Sequence, residues 1–202
     1  MEEAIMIEKN NNEITVKITS SKGKLIEILK EKGFQKGRTF TLDDYYFIPK
    51  EFDLESMSTR DIISKSVIIR NIFSNNVYRK IITYKIKDID HNGDILSQKS
   101  INCDIYDIEQ AKILLEAIGY YQIMNIKEDN IVYYKDNLEL AIKDIKDGDI
   151  LIEIETEPNS NFDTIEKLKK AVINLNLPVL PNKFFIKKAE IELNKILSRN
   201  EK

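Results

Sequence analysis

The chain has 202 residues, 42% of them hydrophobic, so it can build one large or two small folded domains, and extensive disorder is excluded. A net charge of −3 and a pI near 5.5 exclude a general nucleic-acid binder, so an anion site would need local clustering of basic residues. No run approaches the roughly 18 apolar residues of a membrane helix, and the N-terminus lacks a secretory signal pattern. We therefore expect a cytoplasmic protein without nucleic-acid or membrane partners.

Residues 13–18 alternate polar and apolar side chains, which predicts a β-strand with Glu13, Thr15 and Lys17 on one face. A helix follows, with Gly33 as its C-terminal cap. Residues 39–48 then form a strand that Pro49 ends, and residues 50–63 form a loop with a short helix.

Three strands are predicted next, over residues 64–73, 77–88 and 95–106. Their connections, Ser74-Asn75-Asn76 and His91-Asn92-Gly93, are strong hairpin signals. Arg70 lies on a mostly apolar strand face and needs a partner, which either a carboxylate or a phosphate could supply. Cys103, the single cysteine, has strand-like surroundings that predict a buried thiol rather than a nucleophile.

The helix predicted over residues 107–118 begins at the capping residue Asp107 and ends at Gly119. Strand candidates follow at residues 120–127, 130–135, 138–145 and 150–155. The last of them places Glu153 and Glu155 on one face, which is costly unless solvent, a cation or a basic group meets them. Two helices end the chain: one capped by Asn161 or Asp163 that runs through residue 175, and an amphipathic one over residues 184–197.

A weak repeat relates residues 29–34 to residues 115–120, and each copy precedes a tyrosine pair, Tyr45-Tyr46 or Tyr133-Tyr134. Two similar halves would close a barrel with pseudo-twofold symmetry, and chance similarity is the alternative. The chain has no glycine-rich phosphate loop, no Cys/His metal pattern and no serine nucleophile elbow. A phosphate site would therefore be built from side chains.

Eight short motifs along residues 10–190 occur in a recognisable order. They are Glu13-Ile-Thr15-Val-Lys17, Gly33-Phe34, Asp43-Asp44-Tyr45-Tyr46, Val67-Ile68-Ile69-Arg70, Thr83-Tyr84-Lys85, the helix 107–119, Asn125-Ile126-Lys127 and Glu153-Ile154-Glu155. This set resembles the CYTH superfamily of triphosphate tunnel metalloenzymes, which includes class IV adenylate cyclases, thiamine triphosphatases and inorganic triphosphatases. The resemblance implies an α+β fold: a closed antiparallel β-barrel, or tunnel, of about eight strands with helices packed outside. It implies one domain, residues 1–202, with the barrel at about 10–156 and the C-terminal helices at about 161–198.

The resemblance also implies a site and an activity. Glu13, Glu153 and Glu155 would bind Mg²⁺ or Mn²⁺, which suit hard oxygen ligands. The basic residues that would bind the substrate are Lys17, Arg70, Lys85 and Lys127. Of these, Lys17 and Lys85 would also be catalytic. The partner would be a small-molecule polyphosphate or a nucleoside or thiamine triphosphate, hydrolysed by a monomer or homodimer. The alternatives are a class IV adenylate cyclase-like enzyme, and a catalytically weakened CYTH protein that only binds a phosphorylated ligand.

Several positions depart from the family pattern. Thr15 replaces a glutamate, Ile68 replaces an arginine, and Lys143 stands where an aspartate is expected. Lys127-Glu128-Asp129 reverses one charge, and Ser100, Asn102 and Asp104 replace several glutamates. Because phosphoryl-transfer catalysis is largely positioning and electrostatics, such changes predict an eroded or differently tuned site.

Overall fold

The computed structural model describes residues 13–89, 95–155 and 161–200, and this part of the chain has an α+β fold. It contains one eight-stranded antiparallel sheet and five helices, which confirms the predicted fold class. Among these residues, no helix has the length and apolar character needed to cross a membrane. The strands are β1 (Glu13–Lys17), β2 (Gln35–Pro49), β3 (Val67–Ser74), β4 (Val77–Ile89), β5 (Ile95–Asp104), β6 (Tyr120–Lys135), β7 (Leu138–Ile145) and β8 (Ile150–Glu155). The helices are α1 (Lys22–Glu31), α2 (Thr59–Ser64), α3 (Ile108–Ala117), α4 (Ile165–Leu175) and α5 (Lys188–Asn200).

The strand order is β1-β8-β7-β6-β2-β3-β4-β5. Reading it backwards exchanges β1 with β5, β2 with β6, β3 with β7 and β4 with β8. Each half of the chain therefore has the succession βαβββ, with α2 inserted in the first. The long central strands β2 and β6 each follow a helix that ends at a glycine with positive φ, Gly33 or Gly119. This topology has the twofold arrangement that the short sequence repeat suggested.

The predicted strands 120–127 and 130–135 are one continuous strand, β6. Glu128, which was predicted to lie between the two strands, is buried within β6, and so is Asn130. The Asn75-Asn76 turn between β3 and β4 has positive φ at both residues, as predicted for a hairpin. The predicted turn at residues 91–93 lies outside the described residues.

Helices α3 and α4 each begin directly after a residue whose side chain caps the helix N-terminus. Asp107 accepts a hydrogen bond from the backbone N–H of Gln110 and caps α3 as predicted. Thr164 caps α4, so the prediction of Asn161 or Asp163 was wrong; Asp163 instead binds the Lys167 ammonium group. The last helix begins at Lys188, later than the predicted residue 184, because residues 184–186 run beside β1.

Three helices cover the outer face of the sheet. Leu25 and Leu29 of α1 and Leu168 and Val172 of α4 join the largest core cluster, which includes Ile14, Val16, Ile152 and Ile154. Ala111 and Leu115 of α3 pack on a second outer cluster with Phe47 and Ile69. Cys103 is exposed rather than buried, because it lies on β5 at the end of the sheet.

The other two helices, α2 and α5, pack against the opposite face, whereas the helices were predicted to pack outside the barrel. Ile62 of α2 and Leu193 of α5 join a core cluster with Tyr46, Ile68 and Ile126. Cross-strand register places these sheet residues on the side that carries Thr15 and Glu153. We call this side the inner face. Apolar side chains of α2 and α5 therefore fill part of the space that the sheet surrounds.

Residues of both end strands, β1 and β5, line one cavity, which shows that the sheet curves strongly. No hydrogen bond pairs β1 with β5 among the described residues, so the predicted closed barrel is not confirmed. The free edge of β1 is instead covered by residues 178–186. Thr15 donates its N–H to the Phe184 carbonyl and accepts a bond from the Ile186 N–H, both at 2.9 Å.

Candidate functional site

The inner face surrounds a cavity of about 480 Å³ that is rich in charge. Seven of the eight strands and the start of α5 contribute to its lining. The basic side chains are Arg38, Arg70, Arg79, Lys85, Lys143, Lys187 and Lys188, and the acidic ones are Glu13, Glu153, Glu155 and Glu190. The excess of basic groups suits the cavity to an anionic ligand.

Three carboxylates converge in this cavity. Strand pairing places Glu13 directly opposite Glu155 and Thr15 opposite Glu153. One oxygen from each of Glu13, Glu153 and Glu155 lies within 4.8 Å of the others. The structure therefore brings together all three residues predicted as metal ligands.

The pKa of Glu13 reflects this crowding. The Glu153 carboxylate and burial together raise the pKa of Glu13, although Lys85 and Lys143 oppose the shift. Three converging carboxylate oxygens are the donor set that Mg²⁺ and Mn²⁺ prefer, so the chemistry of these residues fits one such ion.

Lys143, on β7, reaches this cluster, and its ammonium group forms an ion pair with Glu153. Burial would raise the pKa of Glu153, but the charge and hydrogen bond of Lys143 outweigh burial and lower it. The sequence indicated only that Lys143 departs from the family pattern. Alternation along β7 was the available signal, since it places residue 143 on the same face as residue 141.

Lys85, on β4, lines the same cavity as predicted. Among the described residues, no carboxylate oxygen lies within 4.0 Å of its ammonium group. Burial and the nearby Arg70 lower the pKa of Lys85 to about 8, although Glu13 opposes them. An ammonium group without a close partner in a partly buried cavity is well placed to bind an anion.

Arg70 has a carboxylate partner, which resolves one of the alternatives that the sequence left open. Its Nε and Nη2 each donate a hydrogen bond of 2.7 Å to Asp44 on the neighbouring strand β2. Burial would raise the pKa of Asp44, but Arg70 outweighs it and lowers this pKa to about 2. Arg70 still lines the cavity, so Asp44 holds the guanidinium group in place there.

A second buried ion pair joins α5 to the sheet. Lys188 lies 2.9 Å from Glu128 and 3.8 Å from Asp44. Burial would lower the pKa of Lys188, but these two carboxylates raise it. The sequence motif did not reveal Lys188, because its partners lie 60 or more positions earlier in the chain.

Two predicted substrate-binding residues lie away from the cavity. Lys17 shares the inner face of β1 with Glu13, but it lies at the other end of the strand and binds Asp149 at 2.7 Å. Lys127 points to the outer side of β6, where it lies 3.5 Å from Asp43. The structure therefore does not place Lys17 or Lys127 with the other site residues.

No protein-family model matches the chain. A curated protein of Methanocaldococcus jannaschii named "Putative adenylate cyclase MJ0240" is 24% identical over 168 residues, which are 82% of this chain and 89% of that protein. The solved structure of PH1819 protein from Pyrococcus horikoshii OT3 superposes with a TM-score of 0.69 at 20% identity, covering 92% of this chain and 99% of that one.

A third similar protein is from Hippeastrum, with a TM-score of 0.51 at 15% identity over 85% of this chain and 90% of that one. That protein is named "Putative adenylyl cyclase HpAC1" and is described as having a dominant triphosphatase activity. The chain thus shares its fold with these solved structures, and two of the three similar proteins carry cyclase names.

Proposed function

We propose that this chain is a CYTH-superfamily protein and a metal-dependent hydrolase of a triphosphate compound, inorganic or organic. The observation that carries the proposal is the convergence of Glu13, Glu153 and Glu155 in one cavity with an excess of basic side chains. A polyphosphate with a divalent cation needs both kinds of group at close range. The closed tunnel expected of the family belongs to this proposal, and the curvature of the sheet supports it.

Glu13, Glu153 and Glu155 would hold the Mg²⁺ or Mn²⁺ ion. When bound, such an ion neutralises phosphate charge and polarises the phosphoryl group for attack by water. The single-domain organisation, cytoplasmic location and monomeric or homodimeric state predicted from the sequence are part of the same proposal.

The basic residues of the cavity would bind the phosphate groups. Lys85 is the best placed, because its ammonium group has no carboxylate within 4.0 Å among the described residues. Arg70 is oriented by Asp44 and presents its remaining surface to the cavity. Lys17 and Lys127 are not part of this proposed site, because they lie outside the cavity lining.

Adenylate cyclase activity is the second candidate, and the name of the Methanocaldococcus relative favours it. A cyclase would use the same carboxylates and basic groups, but it would release pyrophosphate and form a cyclic nucleotide. Ligand binding without turnover is the third candidate. The neutral side chain of Thr15 favours it, because Thr15 lies opposite Glu153 where the family pattern has a carboxylate.

The test measures products from tripolyphosphate, ATP and thiamine triphosphate, each with Mg²⁺ or Mn²⁺. Phosphate release that is lost in Glu13→Gln and kept in Glu116→Gln would support the hydrolase, since Glu116 is exposed on α3. Cyclic AMP formation with the same dependence on Glu13 would identify a cyclase. Absence of turnover together with a ligand-induced rise in Tm would leave only binding, and absence of both would overturn the proposed site.

A further inference from the structure

We propose that Lys143 is a built-in counter-ion of the carboxylate cluster. It competes with a divalent cation for Glu153, and it transfers to a bound polyphosphate when the cation takes that carboxylate. The inference rests on the proposed function, because it assumes that Glu13, Glu153 and Glu155 are the ligands of the cation.

The position of Lys143 follows from the pairing of β7 with β8. Its direct cross-strand neighbour is Leu151, while Glu153 lies one step further along the same face, opposite Ala141. The long side chain of Lys143 spans this diagonal and donates to Glu153 Oε2. The exposed fractions of the two side chains are only 14% and 18%, so water screens the pair weakly.

Competition follows from what surrounds Glu153. Its direct cross-strand neighbours on the inner face are Thr15 and Ala141, and both are neutral. The ammonium group of Lys143 therefore supplies the positive charge that a cation would otherwise supply. A divalent ion bound to Glu153 would lie beside this ammonium group, and the repulsion between them would weaken binding of the ion.

A polyphosphate in the cavity gives the displaced ammonium group a new partner. Lys143 already lines the cavity. Two other carboxylates act on Lys143: Glu128, which is already bound by Lys188 at 2.9 Å, and Glu13, which would itself be a ligand of the cation. Phosphate oxygens are then the available partner on the cavity side, so cation binding and anion binding are coupled through one lysine.

The experiment compares the wild-type protein with Lys143→Met and Lys143→Arg in two separate titrations. Mn²⁺ alone is titrated by electron paramagnetic resonance, and tripolyphosphate is titrated by calorimetry at a saturating Mn²⁺ concentration, because Lys143 is released from Glu153 only when the cation is bound. We expect Lys143→Met to bind Mn²⁺ about tenfold more tightly and tripolyphosphate about tenfold more weakly, roughly 1.4 kcal/mol in each direction. Lys143→Arg keeps the charge and should stay close to wild type in both titrations.

The proposal predicts affinity changes of opposite sign for Mn²⁺ and tripolyphosphate. A variant that merely disturbs folding would weaken the binding of both ligands. Unchanged or weaker Mn²⁺ binding by Lys143→Met, including no detectable binding by either protein, would overturn the proposal, and so would unchanged binding of tripolyphosphate. Neither titration requires turnover. The Lys143 effect can therefore appear in a protein that hydrolyses nothing, and hydrolysis can be found in a protein that lacks the effect.

Discussion

At the scale of single residues, ion pairs stabilise the charged side chains on the inner face. The contribution of each pair to folding stability depends on how deeply it is buried. Asp44 is 0% exposed, and its pair with Arg70 replaces the water that both groups lose on folding. Asp104 and Arg79 form a similar pair on strands β4 and β5, but their side chains are 70% and 46% exposed. The Arg70–Asp44 pair is also bidentate and has Lys188 nearby, so the two Asp–Arg pairs differ in geometry as well as in solvent access.

This difference predicts unequal costs of removing the two aspartates. Asp44→Ala leaves the Arg70 guanidinium group buried without its partner, and should lower the free energy of unfolding by about 3–5 kcal/mol. Asp104→Ala removes an exposed pair and should cost less than about 1 kcal/mol. Urea unfolding at pH 7 measures both values. Equal losses in the two variants would contradict the role assigned to burial.

The sequence predicted the site residues unevenly, and the reason is local. Glu13, Glu153, Glu155 and Lys85 lie on regular strands, where alternation alone assigns the face. Lys127 was included because the match to a motif took precedence over the alternation of β6, which buries Glu128 and exposes its neighbours. The partner that makes a buried Glu128 tolerable, Lys188, comes from α5 and is distant in sequence.

At the scale of secondary-structure elements, the least expected contact is the one that covers β1. The sequence predicted a helix from residue 184, but residues 184–186 are extended and bond to Thr15 on the free edge of β1. Local periodicity cannot show this contact, because it pairs segments about 170 positions apart. It also places Lys187 and Lys188 at the cavity, since these residues follow directly in the chain.

The backbone bond from the Ile186 N–H to the Thr15 carbonyl can be tested by removing its donor. Ile186→Pro loses the N–H and leaves the carbonyl without this partner, so we expect a loss of about 1–3 kcal/mol in unfolding free energy. Ile186→Val keeps the donor and most of the apolar contact, and serves as the control. Thermal unfolding followed by circular dichroism compares the two, and equal stability of both variants would show that the strand edge does not need this bond.

At the scale of the whole molecule, the two halves of the sheet contribute opposite charges to the cavity. Strands β1 and β8, which belong to one side of the strand order, supply Glu13, Glu153 and Glu155. Strands β2, β3 and β4, on the other side, supply Arg38, Arg70, Arg79 and Lys85. Lys143 is a basic residue on the acidic side. The order of motifs predicted that acids and bases would meet, but the pairing of Lys143 with Glu153 is a property of the folded sheet.

Because the basic half contains a lysine with an unusual pKa, anion binding without metal should depend on pH. Lys85 has a pKa of about 8, below the ordinary value of 10.5, so its ammonium group is charged at pH 7 and loses its proton as the pH rises through 8. Tripolyphosphate at 100 times its Kd should stabilise the protein by about 2.7 kcal/mol, and the shift in Tm should shrink from pH 7 to pH 9.

The pH dependence of tripolyphosphate itself is removed by comparison with Lys85→Arg. An arginine stays charged throughout this range, so the affinity of wild type relative to Lys85→Arg should fall several-fold between pH 7 and pH 9. Measurements in EDTA keep the acidic half of the site out of the comparison, since no divalent cation is then present to bridge the carboxylates to the phosphate. Parallel pH profiles for the two proteins would mean that Lys85 does not contact the anion, and the phosphate groups would then have to be bound by other basic residues of the cavity, such as Arg70, Lys143 and Lys188.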